Sequence, residues 1–263
     1  MKHSEWISKA YISSSQALAN CYNTAHIGGW NENHITTKVL ESIESIGLEL
    51  DWSDKPQKVR WEGFKLRGNS EYEFGDIVVI VRIWVTSDRY VDGVAFYEAK
   101  RQFFHENNSP IGFSSLKVEQ LSRIHDHTYA SNVLLYDVDI DNEMALASSV
   151  TMPFVKELVE AKLANSSGRM LHYYGEPWVV SLAGNLLGLH LDLRKEVVDE
   201  LKISTSSYRK PNFILNASVA LLSTLEPSLD NSFVNSNDYE HWIKKDDPKP
   251  TFSNTPKYDG PSF

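Results

Sequence analysis

The sequence predicts an α/β protein whose core is followed by a helical carboxyl-terminal extension. Three observations favour this fold class. Residues 77–86 read IVVIVRIWVT, a run of β-forming residues that is too short to span a membrane as a helix. Within residues 33–46, apolar residues recur with nearly the period of an α-helix. Beyond residue 150, several segments have helical character, and these segments predict the extension.

The amino-terminal half is expected to alternate helix and hairpin. Residues 1–30 predict a short helix that a Gly28-Gly29 break ends. Asn31 or Asn33 is expected to cap the helix over 33–46, and Gly47 to end it. A turn-rich segment, DRYVDG, follows the 77–86 strand, and a returning strand over 94–104 completes a hairpin.

The carboxyl-terminal half is expected to be helical and then irregular. Asn, Asp, Ser and Pro dominate from residue 227 onward, which favours an irregular or partner-bound tail. We therefore divide the chain into a core over 1–145, a helical extension packed on it over 146–226, and a tail over 227–263. Helices are predicted over 153–164, 177–193, 195–201 and 212–225.

Composition indicates a cytoplasmic globular protein. The chain has 263 residues, of which 41% are hydrophobic, enough to build a core. It has neither an apolar run long enough for a membrane span nor a secretory signal, so no membrane association is expected. The single cysteine excludes an internal disulfide and agrees with a reducing cytosol. A net charge of −9 argues against a general nucleic-acid binder, although a local groove can still be positive.

Two carboxylates and one ammonium are the candidate chemical groups. Glu98 and Lys100 lie two residues apart in a predicted strand, so they share a face. Asp76 lies at the mouth of the preceding strand, and the hairpin brings it towards Glu98. The separation of Asp76 from Glu98, 22 residues, implies long strands or an extended turn. Such a set suits a Mg²⁺ ion with a lysine that orients a water; the alternative is an ordinary Glu–Lys pair on a sheet.

Several segments, taken in order, resemble the PD-(D/E)xK phosphodiesterases, the restriction-endonuclease-like superfamily. The resemblance covers about residues 30–138, and Gly75 stands where the family name has proline. It implies a mixed central sheet flanked by helices in an αβββαβ order, with the first strand of the meander inside residues 58–66. The matching segments are WNENHIT at 30–36, Gly75-Asp76, YEAK at 97–100, LKVEQLSRI at 116–124 and SNVLLYDV at 131–138.

The resemblance implies a metal-dependent nuclease that hydrolyses DNA phosphodiester bonds. Asp76 and Glu98 would hold Mg²⁺, or Mn²⁺ in its place, with Glu32 completing the shell. Lys100 would position the attacking water, and Gln120 would orient water or substrate. A role in bacterial restriction, repair or anti-phage defence is implied, as the effector subunit of a complex with a protein partner or as a homo-oligomer.

Two alternatives to this function stay open at the level of sequence. One is a catalytically idle module of the same fold that serves protein assembly or nucleic-acid docking. The other is an unrelated α/β enzyme in which Glu98 and Lys100 form a structural pair. The basic residues before the hairpin fit either a phosphate-tracking surface or an edge strand protected by lysines. The candidate nucleic-acid contacts are Lys65, Arg67, Arg123, Arg209 and Lys210.

Overall fold

The computed structural model describes residues 1–68, 75–163, 169–204 and 210–242 of the chain. These residues form an α/β structure in which helices flank a mixed nine-stranded sheet. None of the helices within this part of the chain is both long enough and apolar enough to cross a membrane.

Six α-helices lie within the described residues, and several begin at the signals expected from sequence. The side chain of Asn31 accepts a hydrogen bond from the backbone N–H of Asn33 at 3.1 Å, which caps the second helix. Pro153 lies in the first turn of the fourth helix, where its missing N–H costs nothing. The helices are α1 (His3–Asn23), α2 (Glu32–Glu44), α3 (Val118–His127), α4 (Met152–Glu160), α5 (Trp178–Leu186) and α6 (Lys195–Ser204).

The strands include the predicted hairpin and the predicted strand after α3, both of which are confirmed. They are β1 (Glu49–Asp51), β2 (Lys58–Leu66), β3 (Ile77–Trp84), β4 (Tyr90–Arg101), β5 (Phe103–Phe104), β6 (Pro110–Gly112), β7 (Ser131–Asp139), β8 (Met144–Thr151), β9 (Glu176–Pro177), β10 (Phe213–Ala220) and β11 (Tyr239–His241).

The order of strands in the main sheet is β1-β2-β10-β3-β4-β7-β8-β9, and β11 pairs with β2. Strands β3 and β4 form an antiparallel hairpin, and β4 continues through α3 into the parallel strand β7. Strand β10 lies parallel to β3 and antiparallel to β2. The short strands β5 and β6 pair separately from this sheet.

Side chains alternate across the sheet and feed two apolar layers. Ile77, Val79 and Val81 of β3 pack on the side covered by α1, α2 and α5. Val78 and Ile80 pack on the opposite side, which α3, α4 and α6 cover. Both faces of β3 are buried, which explains why its sequence is apolar without alternation.

The helix predicted over 212–225 is wrong. Residues 213–220 form β10, a strand whose eight residues are all buried and which pairs on both edges. A short apolar run buried on both faces has neither the period of a strand nor that of a helix, so periodicity cannot separate the two. The range assigned to a helical extension therefore contributes β10, as well as β9 and most of β8, to the central sheet.

The meander and the tail also differ from expectation. Strand β2 does lie inside the range predicted for the first strand, but β10 separates it from β3, so β2, β3 and β4 are not consecutive neighbours. In the predicted tail, residues 239–241 form strand β11 instead of irregular chain, and Tyr239 is buried against β2. The helix predicted over 177–193 ends at Leu186, two residues before Gly188 with its φ of 83°.

Candidate active site

Asp76 and Glu98 lie close together at one end of the hairpin. The paired register of β3 with β4 ends at Ile77 and Tyr97, and Asp76 and Glu98 are the next residues outward on the two strands. The backbone N–H of Asp76 donates to the Tyr97 carbonyl at 3.0 Å, beyond the last regular pair. The charge of Asp76 acts on Glu98, so the two carboxylates are near each other. The long separation in sequence thus reflects the length of the two strands.

The backbone conformation at residue 75 explains why glycine, and not the proline of the family motif, precedes Asp76. Its φ is 84°, a left-handed value that the proline ring cannot adopt. A Cβ at this position would also lie 2.9 Å from the carbonyl oxygen of Tyr97. The chain therefore enters β3 along a path that requires glycine, and this path brings Asp76 beside β4.

Both carboxylate oxygens of Asp76 accept hydrogen bonds from neutral donors. The backbone N–H of Ala99 donates to Oδ2 at 2.9 Å. The side-chain amide of Asn212 donates to Oδ1 at 3.2 Å. Sequence reasoning missed Asn212 because it assigned the segment to a helix. The available signal was a polar residue at the mouth of an apolar run, the same arrangement that marks Asp76.

Glu98 contacts both Lys100 and Gln120. Its side chain is only 2% exposed, on the sheet face that α3 covers. Gln120, in the first turns of α3, donates from Nε2 to Oε1 of Glu98 at 2.5 Å. The Lys100 ammonium donates to the same oxygen and forms a buried ion pair with it. The structure therefore brings Asp76, Glu98, Lys100 and Gln120 to one end of the hairpin.

The electrostatics of this cluster are those of a site with excess negative charge. Burial raises the pKa of Asp76 and raises that of Glu98 to about 8; the charge of Glu32 adds to the rise at Asp76, and the charges of Asp76 and Glu32 add to the rise at Glu98. Lys100 opposes both shifts. Burial alone would lower the pKa of the Lys100 ammonium, but Glu98, Asp76 and Glu32 together raise it above its ordinary value. Among the described residues, the Lys100 ammonium thus interacts with three carboxylates.

Glu32 joins the start of α2 to the end of β4. Its Oε1 accepts hydrogen bonds from the Arg101 backbone N–H at 3.3 Å and from the Ser115 hydroxyl at 3.2 Å. Trp30, two residues earlier, donates from its indole N–H to the Gln102 carbonyl at 2.8 Å. These contacts bring Glu32 close enough for its charge to act on Asp76, Glu98 and Lys100.

The carboxylate oxygens of Asp76, Glu98 and Glu32 are the type of ligand that a hard divalent cation prefers. Mg²⁺ and Mn²⁺ favour carboxylate oxygens, and a cation would offset the negative charge that raises the two carboxyl pKa values. In the arrangement described, however, Glu98 binds Lys100, and Glu32 binds Ser115 and Arg101. Across the ranges that the structure describes, no three His, Cys, Asp or Glu side chains are grouped closely enough to hold a metal ion together.

Three of the predicted nucleic-acid contacts lie near the same end of the sheet, around β11. Lys65 donates to the Thr37 hydroxyl at 3.1 Å. Arg67 pairs with Glu240 at 3.4 Å, and Lys210 pairs with Asp238 at 2.5 Å. Arg123 lies on the exposed side of α3, one turn after Gln120, and Arg209 is outside the described residues.

Comparison of this chain with protein-family models, with curated proteins and with solved structures gave no match.

Proposed function

We propose that this protein is a metal-dependent nuclease of the PD-(D/E)xK group that hydrolyses DNA phosphodiester bonds. The observation that carries the proposal is the proximity of Asp76 and Glu98 at one end of the hairpin, with Lys100 bound to Glu98. The order of elements supports it as well, because the hairpin runs through a helix bearing Gln120 into a strand parallel to β4. Buried acids beside a lysine are costly to maintain without a use for them.

The proposed roles follow from the contacts. Asp76 and Glu98 would hold Mg²⁺ or Mn²⁺, with Glu32 completing the shell; such a cation would supply an activated water and offset negative charge on the phosphate. Lys100 carries a protonated ammonium that hydrogen-bonds a water and stabilises charge that develops on the phosphate oxygens. Gln120 holds Glu98 from α3 and orients water or substrate at the same edge.

The substrate surface would lie around the ends of β2 and β10 that are nearest to Asp76. Lys65, Arg67 and Lys210 lie around β11 at that end and would contact phosphates there, with Arg123 reaching from α3. The overall charge of −9 limits binding to such a local region and favours a protein partner or a second copy to complete the surface. We place this activity in bacterial restriction or anti-phage defence, in the cytoplasm.

Site variants test the catalytic assignment. Plasmid cleavage with Mg²⁺ is measured for the unaltered protein and for Asp76→Ala, Glu98→Gln and Lys100→Ala. Each variant is expected to lose at least about 100-fold in rate, because it removes a group that acts on the reacting atoms. Asp92→Asn is the matched control, since Asp92 pairs with Arg82 at 2.8 Å at the turn end of the same hairpin.

Full Mg²⁺-dependent cleavage by Asp76→Ala and Lys100→Ala would show that the nuclease assignment through this site is wrong. The direct ion pair of Glu98 with Lys100 favours a second candidate, an idle module of the same fold that docks nucleic acid or protein. That candidate predicts no cleavage by the unaltered protein, with DNA binding that is unchanged in Asp76→Ala.

A further inference from the structure

Asn212 is a buried amide that contacts the candidate site from a distant part of the chain. Asn212 is only 7% exposed to solvent. Nδ2 donates to Oδ1 of Asp76 and to Oδ1 of Asn33, each at 3.2 Å. One amide group therefore joins the aspartate at the mouth of β3 to the first turn of α2, the turn that also carries Glu32.

The backbone of Asn212 is fixed on both sides. Phe213 pairs with Ile77 in the parallel ladder, and its N–H donates to the Asp76 carbonyl at 2.9 Å. On the other side, the carbonyl of Asn212 accepts from the N–H of Leu66 at 2.9 Å. A side chain on a backbone held by two neighbouring strands has little freedom, so the direction of its amide is set by the sheet.

The two acids of the site are held in different ways. Glu98 binds a charged partner, Lys100, whereas the hydrogen-bond donors to Asp76 among the described residues are neutral, the Ala99 N–H on Oδ2 and the Asn212 amide on Oδ1. Donors on both oxygens fix the plane of a carboxylate, and each oxygen keeps a further lone pair. Carboxylates that ligate metals in proteins are hydrogen-bonded by such outer partners.

We infer that Asn212 is a positioning residue that holds the Asp76 carboxylate, and with it the first turn of α2, in the orientation that binds the divalent cation. This inference rests on the proposed function, because it assumes that Asp76 is a metal ligand.

The experiment measures Mn²⁺ affinity by calorimetry in the full-length protein, without DNA. Asn212→Ala is expected to weaken Mn²⁺ binding about tenfold or more, the usual cost of losing an outer hydrogen-bond partner of a metal ligand. Asn216→Ala is the matched control. Asn216 lies in β10, four residues after Asn212, is also buried and donates two hydrogen bonds, but its partners are Asp230 and Asn231, away from the site. The control is expected to bind Mn²⁺ as the unaltered protein does.

A second variant covers the case in which Asn212→Ala does not fold. Asn33→Ala removes the second acceptor of the Asn212 amide at an exposed position, and a two- to threefold loss of affinity, about the effect of a weak hydrogen bond, is expected. Equal Mn²⁺ affinity in Asn212→Ala and Asn216→Ala would overturn the inference and leave the nuclease proposal standing. Absence of both Mn²⁺ binding and cleavage in the unaltered protein would overturn both.

Discussion

Glu44 is a carboxylate whose ionisation opposes folding. It lies in the last turn of α2, half-buried, and burial raises its pKa to about 7. The negative charges of Glu62 and Glu41 add to this rise. Because the folded-state pKa lies above the unfolded value of 4.5, the folded protein keeps a proton that the unfolded chain has already released. The stability that this group contributes is therefore complete below its unfolded pKa and is lost as pH rises through about 7.

Glu44→Gln is expected to remove this pH dependence. At about pH 8 the variant should exceed the unaltered protein in free energy of unfolding by about 1 kcal/mol, less than the full shift because the group is partly exposed to solvent. At about pH 4 the two should be equal. Urea denaturation at both pH values measures the difference. Glu160→Gln, on α4 and paired with Lys156 at 3.8 Å, is the control, and an equal gain there would contradict the role of burial.

The contacts of Asp76, Glu98 and Lys100 followed from local rules, whereas those of Asn212 did not. Alternation along a strand sets which side chains share a face, and an antiparallel hairpin sets which residues oppose each other. Both rules operate within one supersecondary unit. Asn212 lies 136 residues from Asp76, and its position depends on which strand inserts beside β3. No local pattern encodes that choice, so the sequence marks Asn212 as a polar residue before an apolar run but does not connect it with Asp76.

At the scale of elements, β11 brings acids to the cations proposed to contact DNA. Asp238 and Glu240 pair with Lys210 and Arg67, and Tyr239 between them donates from its hydroxyl to the carbonyl of Pro211 at 2.9 Å. The edge of the sheet at this end is thus covered by a segment whose carboxylates would compete with phosphates for the same cations. The proposed DNA binding there would require these ion pairs to open.

Asp238→Asn together with Glu240→Gln is expected to tighten DNA binding about three- to tenfold at low salt, and to steepen its salt dependence, because Lys210 and Arg67 can then contact phosphates. Fluorescence anisotropy in EDTA measures binding without cleavage. Glu49→Gln with Glu226→Gln changes the net charge equally and removes the acids that pair with Arg60 and Lys58 at the other end of β2. Equal tightening by both double variants would mean that net charge alone is responsible.

The elements predicted correctly are those whose boundaries are marked in the sequence by cap or turn residues. Helix α2 has Asn31 as a cap, and the β3–β4 hairpin is divided by a turn-rich segment. Strand β10 has no such signals, and its apolar residues are needed on both faces because it lies between β2 and β3. Strand β11 forms because it pairs with β2. Its short polar sequence contains no pattern that predicts a strand.

At the scale of the whole molecule, the carboxyl-terminal third of the chain supplies a strand from the middle of the central sheet, β10. Strand β10 is hydrogen-bonded to β2 over eight residue pairs and to β3 over eight more. Without it, β3 would lose one of its two neighbours, and the apolar side chains of β2 and β3 would lose their cover at that edge. The division at residue 145 therefore separates strands that the sheet joins.

Fragment 1–145 is accordingly expected not to fold on its own, whereas fragment 1–242, which keeps every element that the structure describes, is expected to unfold as the full-length chain does. Circular dichroism and urea titration distinguish the two: 1–242 should give one cooperative transition, and 1–145 a gradual change without a plateau. The physical reason is the unpaired edge that removal of β10 leaves on β3, an edge that also favours aggregation. Cooperative unfolding of 1–145 would show instead that the hairpin and its helices form an independent core, to which β10 is a later addition.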